Sequence, residues 1–355
     1  MSTATTAPPA AAIVKLDPAS ARIKWITAFT MMTVPGLGTA VAAWFLYKGW
    51  YTTTDLVLFA VMYFVHMAGI TIGFHRYLAH KAFKTSRFFE GVLMIAGSMG
   101  GQGPIMYWVT THRRHHRFSD HEGDPHSPNL SGDGFFGKLR GLWYAHMPWM
   151  LSDESSSWSY WAPDVLRDRR LFFYHRTYQL WVVAGLVLPA VIGFAVERTP
   201  MAALTGFLFG GLARMFLANQ AAWCVGSISH MIGGRPFDNG DRSANNWPVA
   251  IFTFGEGLQN NHHAFPGSYK HAVRPWEPDL SGWILTALGR VRVVWDLREP
   301  DAATIAARRE KGRRVAAARS GRAAAEATAA TAAAGTAAET PTGTRTDTEE
   351  PRTAV

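Results

Sequence analysis

Apolar residues are gathered into long uncharged blocks that alternate with polar segments. Four blocks reach the length of about 20 residues that an α-helix needs to cross a bilayer. These predicted spans cover residues 25–47, 56–74, 178–196 and 201–225. Short connections pair them into two hairpins, and a long polar region separates the hairpins. The pattern predicts an all-α integral membrane protein with four transmembrane helices and a helical cap on one side of the membrane.

A fifth apolar stretch, Phe88 to Val109, differs from the four spans. It contains Glu90 and a run rich in glycine, with serine and proline, from Gly97 to Pro104. In lipid, the irregular backbone of such a run would leave polar groups unpaired. We therefore expect this stretch to lie at the interface or to re-enter the membrane without crossing it.

Basic residues set the predicted orientation. The turns within the two hairpins contain only Lys48 and Arg198, whereas the segments on the other side carry many more lysines and arginines. The positive-inside rule then places the cap and both termini in the cytoplasm, on an integral protein of the cell membrane. This placement accounts for the formal charge of +9 without a nucleic-acid partner.

The two ends differ in composition from the membrane region. Residues 1–24 predict a flexible N-terminal segment, and residues 25–300 predict the membrane domain. Residues 301–355 predict a C-terminal tail whose basic first part forms either a helix at an anionic leaflet or a plain solvated helix. Beyond Glu326 the Ala/Thr/Pro/Gly composition predicts disorder.

Histidine is the residue type that suggests chemistry. The single cysteine, Cys224, excludes a disulfide framework and a thiolate metal cluster. Fourteen histidines are present, and eight of them fall into three tight groups and one span terminus, all on the predicted cytoplasmic side. These candidate metal ligands are His75, His80, His112, His115, His116, His230, His262 and His263.

Spacing within the groups indicates an enclosed site. His112, His115 and His116 share one face of a helix, while His75 and His80 lie about 140° apart around an α-helix and should flank the site from two directions. Eight imidazoles are too many for one four-coordinate zinc ion. Two ions of a metal that accepts a nitrogen-rich shell fit better, and iron is our choice. The paired Glu-x-x-His pattern of soluble di-iron bundles is missing, so this would be a di-metal centre of another type.

The other six histidines are expected to be structural. His66 lies within the second predicted span and should be a core residue with its polar atoms paired. The remaining five are expected to bond backbone or water: His121, His126, His146, His175 and His271.

At these residues the sequence resembles the membrane fatty acid desaturases, most closely the bacterial acyl-CoA and acyl-lipid enzymes that act at the ninth carbon. The resemblance covers about residues 25–297, and three histidine boxes in this order are much more specific than any one of them. The matching motifs are Gly73–His80, Thr111–Asp120 running into Gly123–Ser127, and Gly255–Pro266.

The resemblance implies two irons in the cap and the removal of two hydrogens from a saturated long-chain acyl group, as acyl-CoA or membrane lipid, with O2 reduced to water. An unactivated methylene has no acidic proton, so a redox metal must abstract hydrogen. The chain has no flavin, nicotinamide or iron–sulfur motif, which implies an external electron donor. A ferredoxin-type carrier with its reductase is expected, steered by the basic cytosolic face, with anionic lipid as the competing explanation for that charge.

Two positions depart from the family pattern. The family usually has histidine at the position of Gln259 and commonly asparagine at that of Gly226, so one iron would have about three imidazoles and a weaker shell. Asp120, Asp124 and Glu256 are candidates to orient imidazoles, with surface or cap carboxylates as the equal alternative. Two other functions stay open: a related hydroxylase of lipids or alkanes, and a non-enzymatic lipid or metal sensor with a degenerate centre.

Overall fold

The architecture follows from a computed structural model, which describes residues 8–338. Four helices are long and apolar enough to cross a membrane, Pro18–Lys48, Thr53–Ala79, Tyr178–Glu197 and Pro200–His230, and the two β-ladders in the described residues are short and open. The predicted all-α membrane protein with four spans is therefore confirmed.

The helices are α1 Pro18–Lys48, α2 Thr53–Ala68, α3 Arg87–Ser98, α4 Ile105–Phe118, α5 Gly134–His146, α6 Trp158–Trp161, α7 Pro163–Leu166, α8 Arg169–Arg176, α9 Tyr178–Glu197, α10 Pro200–Gly206, α11 Arg214–Gly226, α12 Trp247–Phe252, α13 Gln259–Ala264, α14 Leu280–Arg290 and α15 Ala302–Ala338. Two π-helices, Gly69–Ala79 and Phe207–Ala213, continue α2 and join α10 to α11, and short 3-10 turns lie at Ala10–Ala12, Pro148–Leu151 and Ile228–His230. The strands are β1 Ile13–Lys15, β2 Lys84–Thr85, β3 Glu154–Ser156 and β4 Val294–Trp295, and they pair antiparallel as β1–β3 and β2–β4.

The four spans form two hairpins whose turns meet at one end of the molecule. Gly49, with φ of 70°, ends α1 in the left-handed conformation, and Thr52 with Asp55 forms a capping box that begins α2. Across the hairpins, the Thr54 hydroxyl donates to Glu197 at 2.5 Å. The metal-ligand candidates on the second and fourth spans lie at the opposite ends of these helices, as expected from the sequence.

The fifth apolar stretch enters the helix bundle without crossing it. Arg214 and Asn219 of the fourth span donate to the carbonyls of Met99 and Gly100, at 2.9 and 3.2 Å. The amide of Gly103 donates to the Tyr178 hydroxyl at 2.9 Å. Side chains of two spans thus pair the irregular backbone that lipid would leave unpaired, as expected for a re-entrant segment.

Both ends are more ordered than the composition alone predicts. β1 pairs with β3 of the cap, and Asp17 caps α1, which begins at Pro18 within the segment expected to be flexible. At the other end α15 continues to Ala338, beyond Glu326, where disorder was expected. Alanine has the highest helix propensity, so a chain without a packable face can still be helical. The rest of the expected disordered tail, residues 339–355, lies outside the described residues.

Candidate metal centre

The π-helix at the end of the second span places two histidines side by side. In a π-helix, hydrogen bonds join residues five apart, and the amide of His80 donates to the carbonyl of His75 at 3.1 Å. The two imidazole rings lie 4.8 Å apart. The expectation that they flank the site from two directions is wrong, because it assumed an α-helix where the backbone is wound as a π-helix.

Helix α4 supplies histidines to two separate clusters. His112 and His116, four residues apart, have ring centroids 4.5 Å apart and face the first cluster. His115 points away from them toward His230 and His263, at 5.0 and 5.2 Å between centroids. Their spacing led us to expect that all three histidines point together. That expectation is wrong, because His112 and His116 face the first cluster and His115 faces the second.

Five imidazoles form the first cluster, with ligand nitrogens all within 4.8 Å of one another: His75, His80, His112, His116 and His262. The Nε2 atoms of His80 and His112 are 2.7 Å apart, and the Nε2 of His262 lies 3.0 Å from that of His75 and 2.9 Å from that of His116. The Nδ1 of His75 contacts the Glu256 carboxylate, which fixes its proton there and leaves a lone pair on Nε2. Lone pairs this close repel one another unless a proton or a metal cation lies between them, and a set of five such nitrogens fits a transition metal that prefers nitrogen.

Three imidazoles, His115, His230 and His263, form the second cluster. Gln259 lies beside it, with its amide nitrogen 3.1 Å from His263 Nε2 and 3.5 Å from His230 Nε2. Within residues 8–338, the buried Nε2 of His115 and Oε1 of Gln259 have no hydrogen-bond partner. A buried polar atom without a partner is costly, so these atoms also fit a bound metal, and Gln259 stands where the resemblance implies.

Each of four ligand candidates is backed by a carboxylate on its Nδ1 side. Asp124 lies 3.0 Å from His115, Asp120 lies 2.8 Å from His230, and Glu256 contacts His75. These are the three carboxylates proposed from the sequence, and their burial excludes the surface alternative. A fourth, Asp241, was missed: its Oδ2 is 2.5 Å from His263 Nδ1. It lies in an irregular loop, where no spacing distinguishes it from other loop carboxylates.

The electrostatics favour imidazoles that are ready to bind metal. Burial holds the pKa values of His112, His116 and His262 well below the usual value, so their rings are neutral at pH 7. Burial opposes ionisation of Asp124, but the adjacent His115 outweighs it and lowers the pKa of that carboxyl to about 2. Neutral imidazoles are the form that binds a divalent cation, so these three rings are ready for metal, and the ionised Asp124 lies behind a different ring, His115.

Of the six histidines expected to be structural, four lie away from both clusters. His66 is buried in the second span, 3.4 Å from Arg214 Nη1 and 3.4 Å from the Gln102 amide nitrogen. Backbone or side-chain polar atoms lie within 3.5 Å of a ring nitrogen of each of the other three: His121, His146 and His175.

The two remaining histidines adjoin the clusters, which the sequence did not indicate. The His271 ring is buried 4.4 Å from that of His262, and its Nδ1 lies 3.7 Å from the Glu256 carboxylate. The His126 ring is stacked on His115, with centroids 4.4 Å apart and planes 21° apart. Both come from loops that return to the site, so no helical spacing links them to the ligand candidates.

A cavity leads from the cap to both clusters. Its empty volume is about 920 Å³, part of it open to solvent. Imidazoles of His75, His112 and His115 form part of its wall. The rest is largely apolar and aromatic, with Met67, Ile70, Trp108, Trp149, Trp223 and Val225 among the lining residues. An apolar chain in this cavity would lie against the clusters with water excluded.

Comparison with known proteins assigns this arrangement to a family. Residues 56–282 match the model of the fatty acid desaturase family. The chain is 42% identical over 280 residues to the hex-5-enoyl-[acyl-carrier protein] acetylenase of Moorena producens (strain JHB), which covers 78% of this chain and 87% of the relative. It is 34% identical over 223 residues to the sn-1 stearoyl-lipid 9-desaturase of Anabaena variabilis, with 62% and 74% covered. It is 33% identical over 248 residues to the chloroplastic palmitoyl-monogalactosyldiacylglycerol delta-7 desaturase of Arabidopsis thaliana, with 70% and 62% covered.

Proposed function

Because the chain belongs to the fatty acid desaturase family, whose members are oxidoreductases of membranes, we propose that it introduces a cis double bond at the ninth carbon of a saturated long-chain acyl group. The observation that carries the proposal is a cavity whose wall combines apolar side chains with imidazoles of both clusters. An acyl chain is the substrate class that such a cavity fits, and it can enter as acyl-CoA or as an acyl lipid.

Two iron ions, one in each cluster, suit the nitrogen-rich donor sets. Iron with O2 supplies the oxidising power needed to abstract hydrogen from a methylene that no base can deprotonate. In the balanced reaction the substrate loses two hydrogens, two electrons and two protons enter from outside, and O2 leaves as two waters. The eight histidines proposed as ligands are those that the two clusters bring together.

The residues of this chain then have separate tasks. Asp120, Asp124, Asp241 and Glu256 hold the Nδ1 protons of four imidazoles, which keeps each Nε2 free to bind metal. The aromatic and apolar wall binds the chain and excludes water. The position of the chain along the cavity decides which methylenes face the clusters.

The two electrons require a separate carrier. Exposed Arg117 and Arg242 directly follow His116 and Asp241 in the chain, so positive charge lies on the cap surface beside the site. Positive charge there would steer an acidic carrier of the ferredoxin type. The same charges favour a cytoplasmic position for the cap and both termini, in the cell membrane, because the opposite turns contain only Lys48 and Arg198.

A second candidate function comes from the acetylenase relative. The identity to that protein is 42%, against 34% and 33% for the two desaturases compared above. The name of that relative states a hexenoyl group on an acyl-carrier protein. A chain related to it would remove hydrogens from a shorter acyl group on a carrier protein and leave a triple bond.

The experiment is fatty acid profiling of cells that express the full chain, beside cells that express His262→Ala at equal level in the membrane. A product two mass units lighter than a saturated precursor, with the double bond mapped to the ninth carbon, supports the first proposal. A gain of sixteen mass units would indicate hydroxylation, and an alkyne in the carrier-protein fraction would support the second candidate. No product in either fraction, with protein and iron present, would contradict both.

A further inference from the structure

The second cluster has fewer ligands than the first. Five imidazoles converge in the first cluster and only His115, His230 and His263 in the second. Iron sites with nitrogen and oxygen ligands commonly have five or six positions. The second position is therefore short of donors, even with Gln259 beside it.

One further imidazole lies beside His115, a member of this cluster. A ring nitrogen of His126, one of His115 and a carboxylate oxygen of Asp124 lie within 4.8 Å of one another. The His126 ring packs between the rings of His115 and Trp149, with centroid distances of 4.4 and 5.0 Å. All three residues line the cavity described above, and so does Gln259. The backbone amide of His126 donates to Asp124 Oδ1 at 3.1 Å, which ties the loop that carries this ring to the carboxylate behind His115.

Gly226 gives this ring its room. A Cβ atom at position 226 would lie 3.1 Å from His126 Nδ1 and 3.2 Å from its Cε1, which is tighter than ordinary van der Waals contact. Gly226 ends α11, immediately before the turn that carries His230. A side chain at position 226 would therefore compete with the His126 imidazole for the same space beside the second cluster.

We propose that His126 supplies a fourth imidazole nitrogen to the second metal position. This inference rests on the proposed function, since it concerns the same centre, but it assigns a ligand that the three histidine boxes do not contain. Gly226 and His126 then act as a pair, in which the missing side chain admits the ring. Gln259 occupies the neighbouring wall as a weaker donor.

The test measures metal, so it remains valid whatever the product. Full-length protein in detergent is loaded with Fe²⁺ without oxygen, and iron release to a coloured chelator is followed for the wild type and for His126→Phe. Phenylalanine keeps an aromatic ring, somewhat larger than imidazole, between His115 and Trp149 and has no ring nitrogen. We expect two irons per chain in the wild type, and in the variant a release at least tenfold faster for one iron alone. His175→Phe, changed away from both clusters, should behave as the wild type.

Two further variants separate a ligand from a packing role. Gly226→Ala should push the His126 ring aside and accelerate release of the same iron. That result would support the proposal even if His126→Phe folds poorly. Adding Gln259→His to His126→Phe should restore slow release, because a new imidazole replaces the lost one, whereas a packing defect would persist. Equal release rates in the wild type, His126→Phe and Gly226→Ala would overturn the proposal. So would a defect that Gln259→His does not reduce.

Discussion

Asp241→Asn tests the carboxylate that lies behind His263. In the structure Asp241 Oδ2 lies 2.5 Å from His263 Nδ1, and Oδ1 accepts from the amide and the hydroxyl of Ser243 at 3.0 and 2.5 Å. Burial opposes ionisation of this carboxyl, but His263 outweighs it and holds its pKa well below the usual value. Asparagine keeps the shape, and with its oxygen on Ser243 it turns an NH2 group toward His263 Nδ1, so the substitution removes both the charge and the acceptor of the Nδ1 proton.

The expected loss can be given a size. Removing a group that orients a metal-bound imidazole lowers metal affinity by about 10–100-fold. This corresponds to about 1.4–2.8 kcal/mol, since each tenfold step is about 1.4 kcal/mol. Only the second position should weaken, because His263 is not among the five imidazoles of the first cluster.

The assay is competition of the loaded protein against chelators of graded affinity, with iron counted per chain. The matched control is Asp153→Asn, which removes an exposed carboxylate that pairs with Lys15 at 3.6 Å, and it should leave both irons in place. The reasoning is refuted if Asp241→Asn keeps wild-type affinity at both positions. It is equally refuted if both irons weaken together, since that would indicate general damage to the cap.

Three other outcomes are expected. His262→Ala should abolish unsaturated product while the protein still inserts into membranes, as measured by carbonate extraction, because insertion depends on apolar length. Deleting the chain after residue 325 should leave activity intact. Deleting all of α15 should reduce activity, because the Arg309 guanidinium lies over the Phe237 ring at 5.6 Å and secures the loop before Asp241. The melting temperature of metal-free protein should fall as pH drops from about 6.5 toward 4. Burial lowers the pKa of His263 to about 4, so between these pH values the unfolded state binds more protons than the folded state. A flat profile from pH 7 to 4 would contradict the buried neutral imidazole.

The spans and the ligand candidates were predictable because each has a local signature. Apolar length alone identifies a span, and the structure extends the predicted limits by only a few residues, for example from Trp25 back to Pro18. Tight groups of histidines can also be recognised in the sequence without knowledge of the fold. The structure brings all eight into two adjoining clusters.

The division of these histidines between clusters was not predictable. It depends on the π-helix after α2, where one extra residue per turn aligns His75 with His80, and no composition rule marks that winding. The positions of His126, Asp241 and His271 beside the clusters depend on loops that return from distant parts of the chain. Such contacts follow from packing of the whole cap, so local spacing carries no trace of them.

Helix α13 combines a local histidine motif with contacts that depend on the packing of the cap. Its two ligand candidates, His262 and His263, are consecutive yet belong to different clusters, so a small rotation of this short helix would misplace both. Two buried amides prevent that rotation. Asn260 bonds the amide and carbonyl of Phe237 at 2.9 and 3.0 Å, and Asn261 bonds the His271 carbonyl at 3.0 Å.

The segment that Asn260 binds runs on to Asp241, the carboxylate behind His263. One set of hydrogen bonds therefore fixes both the ligand and the group that orients it. Buried amides are stabilising only when they are paired, and here the pairing joins the helix to its supporting loop. The geometry of the second position thus depends on amides that never contact the metal, which is why the last histidine box cannot be understood from its histidines alone.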